Sequence, residues 1–209
     1  IFNTVFITIC GTVGNLIFAS MAAYSLAKLR FPGKRLLSFL IIFLIVVPVE
    51  TSIIPLYSIV KIMLGLKQQM SVWGVILPAA ISIFNIFLFT QFFQNIPTEY
   101  EEAARIDGAT TLGVFTKVIM PLSKPIIATV AVFCFIGVWN DYLWPRIVMT
   151  DVNNQTLTAG LRLLMGQYEQ RWAHMIASCL VSMVPPFVLY LCAQKYFLQG
   201  ISVQAGVKG

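Results

Sequence analysis

Apolar residues run through this chain in long blocks, and the polar residues gather between them. Five blocks reach the roughly 20 residues that a helix needs to cross a bilayer core. They run from about Phe2 to Ala27, Leu36 to Val60, Met70 to Phe93, Val118 to Trp144 and Trp172 to Phe197. The fourth is long enough to tilt, or to include an interfacial turn near Pro121 and Pro125. The pattern predicts an all-α, polytopic transmembrane helical bundle with five spans, forming a single domain over residues 1–209.

Composition strengthens that reading. The chain is 58% hydrophobic and 11% charged, with a mean hydropathy of +0.85. A soluble domain carries about 25% charged residues and could not hide so much apolar surface. Disorder, a nucleic-acid-binding domain and an ordinary cytosolic enzyme are excluded. The net charge of +6 fits basic loops on the cytoplasmic side of a membrane. Cys10, Cys134, Cys179 and Cys192 are widely spaced in apolar stretches. They indicate neither a metal site nor a disulfide framework.

The loops orient the spans. The connection after the first holds Lys28, Arg30, Lys34 and Arg35 and no acid, which marks it as cytoplasmic. Alternation then places 61–69 outside, 94–117 inside, 145–171 outside and the C-terminus inside. The chain opens with Ile1 and the first span runs inward from outside. A cytoplasmic N-terminus in the complete protein would therefore add one span upstream, making six.

Prolines interrupt the spans at Pro48, Pro55, Pro78 and Pro185–Pro186. Such breaks suit ordinary kinks or helices that line a translocation path. Glu50, Asn85, Asn140 and Asp141 are the polar residues to weigh beside them. An intramembrane acid is a candidate functional group, although Glu50 and Asp141 fall toward the outer ends of their spans, where water reaches them.

The most informative stretch is Asn95 to Pro125, too polar to span and too well patterned for a slack linker. Thr98 and Glu101 have the spacing of a capping box. Glu99, Glu101 and Glu102 crowd a first turn, where negative charge suits the helix dipole. Ala103 and Ala104 favour helix, and Gly108 supplies a left-handed stop. A short helix is predicted over Glu99–Asp107, with a second leading from Thr110 to Lys117. A small helix with an alanine face suits docking into a partner's groove, and equally suits lying on the membrane.

Glu102-Ala103-Ala104, Gly108 six residues after Glu102, and Met120-Pro121 resemble the EAA loop of ABC importer permeases. Val118 and Met120 stand where that pattern has isoleucine and leucine. Gln194–Gly200, Ala205–Gly209, Trp139–Pro145 and Ile54–Tyr57 resemble the carbohydrate-type branch related to the maltose system. The resemblance implies a permease subunit that hydrolyses nothing itself. It implies as partners two ATP-binding cassette subunits, a sister permease, an extracytoplasmic solute-binding protein, membrane lipid and a sugar substrate, with no nucleic acid. The location implied is the bacterial inner membrane. Glu102, Ala103, Ala104 and Gly108 would couple to the ATPases, supported by Arg105 and Asp107, and the tail near Gly206 and Lys208 would touch them too.

The chain supports this division of labour. Gly33-Lys34 lacks the upstream glycine of a phosphate-binding loop and is followed by Arg35. No cofactor or metal is expected on this chain, and ATP with magnesium belongs to the partners. Sugar recognition needs hydroxyl-matching groups beside aromatic faces. Asn85 among Phe84, Phe87 and Phe89 is one candidate cluster, and Asn140 and Asp141 beside Trp139, Tyr142 and Trp144 another. Interfacial aromatic belts are the plainer reading of both. The outside loop from Arg146 to Arg171 contains a possible surface helix over Thr156–Gly166, a candidate contact for the binding protein. Competing readings are an importer for another solute and a gradient-driven transporter. The latter lacks the paired intramembrane charges it needs.

Overall fold

The computed structural model describes residues 1–65, 72–151, 154–161 and 172–205. Among the described residues there is helix and no strand. The first apolar block forms one helix, α1 (Phe2–Lys28). Its C-terminal carbonyls have no partner within the helix. Lys34 Nζ donates to the carbonyls of Ala27 at 3.2 Å and Leu29 at 3.0 Å, placing a cation on the negative end of the dipole.

The second block is not one helix. It divides into α2 (Lys34–Val46), a 3₁₀ turn at Val49–Ser52 and α3 (Ile53–Met63). Val47 is extended, with φ −75° and ψ 123°. A residue before proline is driven out of the helical region, and Pro48 has no N–H to continue the ladder. The third block is α4 (Trp73–Ala79) and α5 (Ile83–Gln94), with Ser82 Oγ accepting from the Asn85 N–H at 3.3 Å.

The fourth block also breaks. After α6 (Glu99–Ile106) comes a helical run over Thr111–Leu122, with a π-turn at Phe115–Ile119. It stops at Ser123, two residues before Pro125, and α7 (Lys124–Asn140) follows. Trp144 belongs to a separate short helix, α8 (Leu143–Val148), so the span predicted to reach it ends at Asn140. The last block forms α9 (Trp172–Ala205), with Pro185 and Pro186 inside. Of the described helices, α1 and the run Trp73–Gln94 formed by α4 and α5 are each long and apolar enough to cross a membrane. Counting each bent pair as one span raises the total to four, and Ile176–Cys192 is a shorter apolar helix. The tail contacts expected of Gly206 and Lys208, and the end of the helix expected over Thr156–Gly166, lie outside the described residues; 157–161 are helical.

By its internal contacts the chain groups into two interleaved units. In the one containing Ile1–Gly14, Pro48–Ile81 and Val132–Cys192, the core joins Ile7, Val60, Val75, Ile76, Trp144, Val148 and Met149. Gly11 and Gly14 bring α1 close to the end of α4. A Cβ on Gly14 would lie 2.9 Å from Ala80 Cβ, and one on Gly11 would lie 3.1 Å from Ala79 Cβ. Trp144 Nε1 donates to the Gly74 carbonyl at 3.0 Å, and Trp139 Nε1 to the Ser182 carbonyl at 3.0 Å. Residues 154–158 are tied down by Asn3 Nδ2 on the Asn154 carbonyl, Leu157 N–H on Thr4 Oγ1 and Thr158 Oγ1 on the Trp139 carbonyl.

In the unit containing Asn15–Val47, Ser82–Ala131 and Ala193–Gly209, the core joins Ala19, Ala23 and Tyr24 of α1 to Phe89 and Phe93 of α5. Val114, Phe115 and Ile119 of the loop and Val130 of α7 complete it. Burying each large apolar side chain contributes about 1.5–3 kcal/mol. The polar loop is therefore anchored by its own apolar residues rather than tethered by its ends.

Candidate functional site: the loop helix and its anchor

The expected helix is present as α6, ending one residue earlier than predicted. Its C-terminus is a Schellman motif. Ala109 N–H donates to the Ala104 carbonyl at 2.9 Å and Gly108 N–H to the Arg105 carbonyl at 3.0 Å, with Gly108 at φ 85°. Thr110 then caps the next helix, its Oγ1 accepting from the Gly113 N–H at 3.2 Å. The N-terminus departs from expectation. Thr98 is itself helical, at φ −70° and ψ −22°, and its side chain makes no cap bond. No capping box forms because Glu101 turns the other way.

Glu101 points into the protein and is 6% exposed. Its Oε1 lies 3.1 Å from Nζ of Lys28, the last residue of α1. Lys28 Nζ also donates to the Ile96 carbonyl. One ammonium thus holds both the start of α6 and the turn before it. The Tyr24 hydroxyl, one helical turn earlier on α1, faces Glu101 and Arg105. The Tyr24 ring packs on Phe115 at 5.2 Å between centroids. Sequence reading placed Lys28 among the charges of the first loop and Glu101 among the dipole-facing acids. The pairing joins positions far apart in the chain and carries no local signature.

The rest of α6 is open. Glu102, Ala103, Asp107 and Gly108 are exposed, and Arg105, on the side of Glu101, is exposed as well. Ala104 is the exception, half-buried against the core that holds Phe115 and Ile119. Three apolar side chains join the open surface: Tyr100, Ile106 at 86% exposure and Leu112 at 64%. An apolar tip flanked by charges can seat in a cleft, and a buried ion pair behind it resists deflection.

The other sequence candidates are placed differently. Asn85 is buried, and its Nδ2 donates to Asn15 Oδ1 at 2.7 Å. Phe89 shares its face and is buried, whereas Phe84 is exposed. The expected cluster of Asn85 with Phe84, Phe87 and Phe89 is therefore not one surface, because residues one apart on a helix do not share a face. Asn140 is exposed at the end of α7, its Nδ2 on the Ile136 carbonyl at 3.0 Å. Asp141 Oδ1 accepts from the Trp144 N–H at 3.4 Å. Trp139 and Trp144 are buried with their indole N–H groups bonded, so neither forms an interfacial belt. Glu50 is exposed in the 3₁₀ turn after Pro48. Among the described residues no group of His, Cys, Asp and Glu is arranged to hold a metal ion.

Apolar helices of membrane-crossing length, with a polar helix clamped to the end of one of them, define a helical membrane protein. The chain belongs to the family of binding-protein-dependent transport system inner membrane components, matched over residues 15–203. It is 34% identical to the arabinooligosaccharides transport system permease protein AraQ of Halalkalibacterium halodurans, over 99% of this chain and 73% of that protein. It is 37% identical to the sn-glycerol-3-phosphate transport system permease protein UgpE of Salmonella typhi, over 91% of this chain and 67% of that protein. Among solved structures, a bacterial ABC transporter involved in the import of the acidic polysaccharide alginate contains a similar chain. It matches with a TM-score of 0.79 and 31% identity, over 93% of this chain and 73% of that one. A chain of the MetNI methionine ABC transporter shares the fold, with a TM-score of 0.71 at 16% identity over 93% and 91% of the two chains. The family is one of transport permeases, not enzymes.

Proposed function

We propose that this chain forms half of the translocation pathway of an ATP-driven importer, for a sugar or sugar-like solute delivered by an external binding protein. The similar proteins named for their solutes handle arabinooligosaccharides, sn-glycerol-3-phosphate and alginate, which favours a polyhydroxylated substrate. ATP and magnesium bind two partner ATPases, and a sister permease supplies the other half. The five apolar blocks are five crossings, two of them bent, with α6 and the C-terminus in the cytoplasm. Glu50, Asn140 and Asp141 are the pathway candidates, and Asn85 acts there through its hold on Asn15.

The observation that carries the reading is the two-sidedness of α6. Its inner side is fastened to α1 through Glu101 and Lys28, while Glu102, Ala103, Ile106 and Gly108 stand free. A push on the free side would reach the membrane helices through the ion pair and the core around Phe115. The test is an Ile106→Asp variant in the reconstituted transporter. Sugar uptake should fall at least tenfold and ATPase binding should weaken, with the Tm of the isolated chain unchanged, since Ile106 is 86% exposed. Full uptake by the variant would sink the assignment of this surface to coupling.

A further inference from the structure

At the turn that leads into α2 an open hollow of about 580 Å³ is lined by Phe31, Gly33, Lys34, Arg35 and Ser38. No acid lines it. Lys34 already spends two of its N–H groups on the carbonyls of Ala27 and Leu29, which fixes its ammonium in place and leaves a third donor. Arg30 and Arg35 are exposed, and neither has an ion-pair partner among the described residues. Gly33 is left-handed at φ 82°, and a Cβ there would meet nothing within 4 Å, so its backbone is open to the hollow. Directly beyond it, α2 has no buried residue and exposes Leu36, Leu37, Phe39 and Phe43.

We propose that this hollow binds the phosphate headgroup of an anionic membrane lipid, with the acyl chains lying along α2. Charge complementarity selects the occupant. The Arg35 guanidinium, a fixed ammonium and a hydroxyl at Ser38 suit a phosphodiester, and exposed Arg30, next in the chain to the lining residue Phe31, adds positive charge beside the hollow. The apolar side chains that start one turn further on suit the lipid tails and not a soluble anion. Basic residues clustered just cytoplasmic of a membrane helix attract anionic lipid headgroups. The site shares no lining residue with α6 and does not depend on the coupling reading.

The test uses the detergent-purified chain and the assembled transporter, with native mass spectrometry after adding phosphatidylglycerol or phosphatidylcholine. Phosphatidylglycerol should be retained selectively. The Arg30→Gln/Arg35→Gln variant should lose about 25-fold in its affinity, each charge near a surface being worth about fivefold. A Lys117→Gln/Lys124→Gln variant removes the same charge elsewhere and should keep the selectivity. Equal retention of both lipids, or equal loss in the two variants, would overturn the site. Displacement of the lipid by millimolar inorganic phosphate would make the hollow a soluble-anion site, and selectivity lost only in the assembled transporter would give this face to the sister permease. Either result also overturns the proposal.

Discussion

Lys28 at the end of α1 and Glu101 in the first turn of α6 form a buried ion pair, Nζ to Oε1 3.1 Å, with side chains 5% and 8% exposed. Removing one member strands the other charge, which costs about 3–5 kcal/mol at a buried site. Lys28→Met or Glu101→Gln should therefore lower the Tm in detergent. The Lys28→Met/Glu101→Leu protein should recover much of the loss, because neither charge is then left alone. Uptake should stay low in the double variant, since the clamp between α1 and α6 is gone. Thermal melts and uptake measured on the same three proteins check both statements.

Asn85 and Asn15 make a second buried contact, amide to amide at 2.7 Å. A membrane interior offers no water to replace a lost partner. Asn85→Leu should destabilise by roughly 1–2 kcal/mol. Asn15→Leu/Asn85→Leu should cost less than the two single changes together. A thermal double-mutant cycle reads the coupling directly, and additive losses would mean that the bond contributes nothing.

Gly14 sits where α1 meets the end of α4, and an added Cβ would come within 2.9 Å of Ala80 Cβ. Gly14→Ala should cost about 1–3 kcal/mol through overpacking. Ala80→Gly in the same protein should return most of it. Failure of that rescue in a melting assay would place the strain elsewhere.

The two threonines flanking α6 should behave differently. Thr110 makes a cap bond and Thr98 does not. Thr110→Ala is expected to cost about 1 kcal/mol, and Thr98→Ala close to nothing. Gly108→Ala should also cost about 1 kcal/mol, because φ 85° strains any residue with a Cβ although the space there is open. Amide exchange across 99–114 would separate the three.

The sequence alone determined the helical, membrane-embedded class, because blocks of apolar residues with few charges have no stable alternative in water. It determined α6 and its stop at Gly108 as well, since helix-favouring alanines and a left-handed glycine are local chemistry written in adjacent residues, whereas the capping box expected at Thr98 did not form. It also carried the resemblance to importer permeases, in Glu102-Ala103-Ala104, Gly108 and Pro121 at their spacing. Tertiary structure decided what depends on distant residues. Whether Pro48 or Pro125 bends a block or breaks it depends on what else holds the chain there, and Pro185–Pro186 show that prolines can sit inside a helix. Glu101 could have faced Thr98 across one turn and instead faces Lys28, because the fold brings an ammonium to that side and a buried pair forms only where both charges lose water together. Asn85 likewise turns from a possible solute contact into the partner of Asn15. Local sequence sets backbone geometry, whereas the direction in which a polar side chain is satisfied is set by whichever partner packing brings within 3 Å or so of it.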